Sequence, residues 1–146
     1  MSISSLAAAR EMCRANGWRV SNLELQKLLY ITQMLSLGRS QGADPLINSR
    51  FQAWDLGPVI PDVYHRAKAF GDNPVPDVFK IADYPTGKPK RLIEEVAESF
   101  ADYSPYDLVE FTHWPYGAWA KHYMPGIHGI VIPNKDIVDE YRKRTH

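Results

Sequence analysis

Phe51-Gln-Ala-Trp-Asp-Leu-Gly-Pro-Val-Ile-Pro-Asp-Val-Tyr64 is the stretch that sets the architecture of this chain. It joins a short extended segment, about Arg50 to Leu56, to a turn and a new helix. Large apolar groups (Phe51, Trp54, Leu56, Val59, Ile60) sit directly against Gly57 and Pro58. Glycine permits backbone angles closed to other residues, while proline fixes φ and lacks a donor N–H. The segment therefore reads as a rigid, buried corner rather than a flexible loop. It carries no evident catalytic chemistry, which leans the chain toward binding.

Upstream of the corner lies the best-defined helix start in the sequence. Ser21-Asn-Leu-Glu24 forms a capping box, with Val20 and Leu25 placed for the hydrophobic staple. The helix it opens runs from about Asn22 to Leu37. Leu25, Leu28, Leu29 and Leu35 make one face, and Ile31 and Met34 widen it, so this helix belongs at the centre of the fold. Its remaining stripe, Gln26, Tyr30, Gln33 and Leu37, reads either as a partly covered outer face or as a partner-docking strip. An earlier helix, about Ser4 to Asn16, is marked by Leu6, Ala9 and Cys13 at helical spacing and by Gly17 after its end.

Downstream, a third helix starts near Pro58 to Pro61, lined by Val63, Ala67 and Phe70 and closed by Gly71. From Asp72 to Pro89, four prolines punctuate an alternation around Val75, Val78, Phe79 and Ile81. That pattern predicts a loop with one short edge strand, since repeated prolines cannot feed a central ladder. Pro89 opens a fourth helix carrying Leu92, Ile93, Val96 and Phe100. Ser104-Pro105-Tyr106-Asp107 supplies the cap, N1 proline and acid of a fifth. A short sixth helix runs through Trp119 to about His122, Ile127 to Ile132 predicts a strand, and a terminal helix spans Asn134 to Arg144. The expected fold is mainly α, a compact single-domain helical bundle over residues 1–146 with a minor short β element.

Bulk properties narrow the function classes. With 146 residues and 45% hydrophobic content, the chain can bury a core without metal or disulfides. Seventeen basic residues balance seventeen acidic ones, so there is no strong nucleic-acid signal; the Lys88-Pro-Lys-Arg91 and Arg142-Lys-Arg144 clusters read as solvated charge. One cysteine, Cys13, leaves no internal disulfide and no cysteine-rich zinc site. No charged-then-apolar leader and no membrane-length apolar run is present, so the cytoplasm is the expected compartment, with no membrane partner.

Enzyme chemistry finds little footing. Cys13 falls on the apolar face of its helix, and no serine sits in a Gly-x-Ser-x-Gly elbow. His113, His122 and His128 lack the spacing that puts two imidazoles on one helical face, and there is no phosphate-binding glycine loop. Neither cofactor nor metal is expected. Trp54, Trp114 and Trp119 read as core anchors or as the wall of an exposed groove.

Four segments taken in order carry a resemblance. They are Leu25-Gln-Lys-Leu-Leu-Tyr30; Ala53-Trp-Asp-Leu-Gly-Pro-Val59 with Pro61 and Tyr64; Leu108-Val-Glu-Phe-Thr-His-Trp114 with Trp119; and Ile132-Pro133 before the last helix. Together they resemble the Panacea domain, the SocA-like antitoxin family that includes GepA-like phage-associated proteins. The resemblance implies an antitoxin that neutralises a cognate toxin protein by direct binding. It also implies two alternatives on the same fold: an adaptor delivering its toxin to a cytoplasmic AAA+ protease, and a phage-encoded inhibitor of a host defence protein. It supplies no catalytic residues. A hydrolase using Cys13 or His113 is the contrasting class.

The expected partner surface is the corner with the adjoining stripe: Tyr30, Gln33, Trp54, Asp55, Leu56, Pro58, Val59, Asp62 and Tyr64. Near-neutral charge gives little long-range steering, so shape and aromatic anchoring should dominate affinity.

Overall fold

A computed structural model describes residues 2–145. Among them the chain forms seven α-helices, a short 3-10 turn and a three-stranded antiparallel sheet. The helices are α1 (Ser5–Ala15), α2 (Asn22–Arg39), α3 (Pro61–Ala67), α4 (Gly87–Ser99), α5 (Pro105–Thr112), α6 (Ala118–His122) and α7 (Asn134–Arg144). The strands are β1 (Phe51–Trp54), β2 (Gly57–Val59) and β3 (Val131–Ile132), in spatial order β2-β1-β3. The mainly helical expectation with a minor sheet holds.

Helix α2 is the axle. It packs against α1, α3, α4, α5, α7 and β2, and Leu25, Leu28, Leu29, Ile31, Met34 and Leu37 are all buried. Its start is the expected capping box, with Ser21 Oγ accepting from Glu24 N and Glu24 Oε1 accepting from Ser21 N. It runs past Leu37 to Arg39, because Gly38 lets the Tyr141 ring of α7 lie against the backbone: a Cβ at Gly38 would stand 2.1 Å from that ring.

The corner differs from its expected form in one respect. Gly57 and Pro58 are not the turn but the first two residues of β2, and Trp54 pairs with Gly57 across a two-residue tip, Asp55-Leu56. Gly57, at φ 119°, supplies the left-handed residue the tight reversal needs. Pro58 is tolerated because β2 lies at the sheet edge. Helix α3 begins at Pro61, within the expected span, and gives way to the 3-10 turn Lys68–Phe70 before Gly71.

Other boundaries shift too. No strand forms between Asp72 and Pro89; Val75 and Phe79 are buried as single anchors instead, and Val75 N bonds to Val20 O. Helix α4 starts at Gly87, so Pro89 is its third residue. The expected Ile127–Ile132 strand contracts to Val131–Ile132. The ends of α5 and α7 match expectation. No helix among the described residues is long and apolar enough to cross a membrane.

Candidate partner-binding groove

The polar residues of α2 hold the corner rather than face outward. Gln26 Oε1 accepts from Ile60 N at 2.9 Å while its Nε2 donates to Ile60 O at 3.4 Å, so the side-chain amide acts as a neighbouring strand would. Gln33 does the same for Ile47, accepting at 2.9 Å and donating at 3.0 Å. Between them, Lys27 Nζ donates to Pro58 O at 3.3 Å. Tyr30 donates its hydroxyl to Glu140 Oε1 at 2.6 Å, and Ala118 N and Arg144 Nε donate to the same carboxylate. All four side chains are 2% exposed or less.

Two expected partner residues are thereby corrected. Tyr30 and Gln33 lie in the interior, where no partner of the folded chain can touch them. The same hydrogen-bonding capacity that suggested a docking strip is spent on buried backbone and on Glu140, since an unpaired buried polar group is costly.

Burial sets the charge state of this interior. Lys27, with no ion pair among the described residues, has its amine pushed down to about 7 by desolvation. It lies so close beneath β2 that a Cβ at Gly57 would approach Lys27 Cε to 2.7 Å. Burial also lowers His113; a hydrogen bond to the Leu56 carbonyl opposes the shift, and nearby Lys27 adds to it.

The hairpin tip is held from its other side by three stacked rings. His113 lies flat on Trp119, centroids 3.8 Å apart and planes at 3°, and Tyr123 stacks on Trp119 at 4.6 Å and 17°. Two of the rings reach the hairpin by hydrogen bond. Trp119 Nε1 donates to Trp54 O at 2.7 Å, and Tyr123 Oη donates to Asp55 Oδ1 at 2.6 Å. Placing His113 on Trp119 leaves its Nε2 buried with no hydrogen-bond partner among the described residues.

Beside the tip opens a groove of about 340 Å3. Its aromatic wall is Trp54 with Tyr64 and His128 edge-on, at 4.8 and 5.2 Å between centroids. Leu56 and Val59 continue that wall, the Gln26-Lys27 stretch of α2 lies along the floor, and Asp55, Lys68 and Asp72 line the rim. Leu56 stands 60% exposed at the tip, one of several exposed large apolar side chains, and it borders the groove.

Five of the nine expected partner residues, Trp54, Asp55, Leu56, Val59 and Tyr64, thus line one groove. Pro58 is buried behind it, and Asp62 is exposed on α3 outside the lining. Sequence reasoning missed Lys27, Lys68 and His128, and it gave His113 and Tyr123 no part in the corner. Only the closeness of Trp119 to His113 in an aromatic run could have hinted at the ring stack.

Catalytic alternatives gain nothing from the geometry. Cys13 is fully buried, its thiol pushed up to about 12 by desolvation, so it holds no reactive thiolate. Among the described residues, no three His, Cys, Asp or Glu side chains gather as a metal site would require.

The sequence profile described as antitoxin SocA-like, Panacea domain, matches residues 25–120, from the start of the α2 core to α6. This chain belongs to the SocA-like Panacea family. It is similar to Antitoxin SocA of Caulobacter vibrioides (strain NA1000 / CB15N), with 46% identity over 55 residues, which covers 36% of this chain and 27% of SocA. No solved structure matches. The family is generally non-catalytic. The Panacea match contains the α2 clamps, the hairpin, His113 and Trp119, and it ends before Tyr123 and His128.

Proposed function

We propose that this chain is a cytoplasmic antitoxin that neutralises a cognate toxin by direct binding, with the hairpin tip and its groove as the contact surface. The observation that carries the reading is Leu56, an exposed apolar knob on a braced two-residue tip beside an aromatic groove. Membership of the SocA-like family supplies the class of partner. A standard stable interface buries about 1,600 Å2 in total, so helix α3 with Asp62 and the loop carrying His128 would join the contact. With zero formal net charge, the chain relies on shape and apolar fit rather than long-range attraction.

Co-expression tests this directly. The product of the neighbouring gene should arrest growth alone, and this chain should restore growth. Leu56→Asp should abolish rescue while the purified variant keeps its helical circular dichroism. Rescue intact in Leu56→Asp would move the interface elsewhere. Simple occlusion leaves the toxin's half-life in cells unchanged, whereas a half-life shortened only when an AAA+ protease is present would make the chain a delivery adaptor.

A further inference from the structure

Two rings of one stack hold the hairpin at its tip. Trp119 holds the Trp54 carbonyl and Tyr123 holds the Asp55 carboxylate, while His113 lies flat on Trp119. Trp119 is 8% exposed and His113 is half-buried, stacked flat against it. The rings come from the residue that follows α5, from α6 and from the residue that follows α6, not from the hairpin itself. A two-stranded hairpin alone is marginally stable in water, and its tip would sample many conformations.

We infer that Trp119 and Tyr123 are positioning residues for partner binding, holding Trp54 and Asp55, and with them the adjoining Leu56, in the bound conformation before the partner arrives. This rests on the reading of the tip as the contact surface. A binding-competent tip populated only in part weakens apparent affinity by that fraction. Ordering the tip beforehand removes the loss. Tyr123 is the informative member, because its hydroxyl reaches Asp55 while its ring stacks on Trp119. Removing the hydroxyl therefore loosens the tip without emptying the stack.

The experiment compares wild type, Tyr123→Phe and Leu56→Asp, using the toxin from the neighbouring gene as probe. Two quantities are read: association and dissociation rates, and hydrogen exchange in the free protein over residues 54–57. Tyr123→Phe should bind several-fold more weakly, with the loss in the association rate. The tip should exchange faster by a similar factor, and the thermal midpoint should stay near wild type. A cycle with Asp55→Ala adds a readout that a purely structural residue would not move. If Tyr123 acts through Asp55, the double variant binds no more weakly than the worse single one.

Unchanged affinity and unchanged tip exchange in Tyr123→Phe, with Leu56→Asp still abolishing binding, overturns the positioning role and leaves the interface in place. A loss confined to the dissociation rate, with tip exchange unchanged, overturns it too, since Tyr123 would then be a direct contact. Full binding by Leu56→Asp overturns the interface itself.

Discussion

At the residue scale, the motif positions are chemical supports more than contacts. Tyr30 is fully buried and bonded to Glu140, and burial with that carboxylate raises its hydroxyl well above the usual tyrosine value. Tyr30→Ala should therefore unfold the domain more easily rather than trim an interface. The expected cost is about 3–5 kcal/mol, the range for deleting a buried aromatic, read by urea denaturation. Lys27 gives a pH-dependent case. In the folded chain burial holds its amine at about 7, against an ordinary value of 10.5. Between those values the unfolded chain binds the proton and the folded chain does not, so stability rises with pH across the window. The slope reaches about 1.4 kcal/mol per pH unit, and below pH 7 the penalty is constant. Lys27→Met should remove that rise when the two unfolding curves are compared from pH 7 to 10. A rise that persists in Lys27→Met would show the amine is not the group responsible. The burial of these side chains was hidden in the sequence. Glutamine, lysine and tyrosine spaced along a helix look alike whether they face water or bond to groups brought from 14 to 110 residues away.

At the element scale, helices were read well where local chemistry sets them. The capping boxes at Ser21 and Ser104 sit where the sequence places them. Ser21→Ala should cost about 1 kcal/mol in thermal or urea unfolding, with Ser104→Ala smaller because its cap is exposed. The β elements were read less well. The edge strand expected around Val75 failed because an alternating pattern needs a ladder, and four prolines between Asp72 and Pro89 remove donors while Val75 and Phe79 find the core separately. The hairpin register was missed because Gly57-Pro58 is a strong turn signal on its own. Here Lys27 bonds to Pro58 O within β2, and Gln26 bonds to Ile60 directly after it. Gln26→Leu should test this clamp. It leaves Ile60 N without its side-chain acceptor, at a cost of about 1–3 kcal/mol, and hydrogen exchange should rise first in β2 and the start of α3.

At the scale of the whole molecule, the mainly helical class and the centrality of α2 were legible from periodicity, whereas the groove was not. Its lining comes from α2, the hairpin, α3, the segment after it and the loop before β3, so no local window contains it. Trp54, Asp55, Leu56, Val59 and Tyr64 fall in one short sequence window, whereas Lys68 and His128 reach the same groove only through folding. In the proposed reading, this helical body braces the Leu56 tip for contact with another protein. The most direct test is the dissociation constant of the purified complex between this chain and the toxin of the neighbouring gene, measured for wild type and Leu56→Asp. A hot-spot residue predicts at least about 30-fold weaker binding with an unchanged thermal midpoint. Equal affinity for the two proteins would contradict the account.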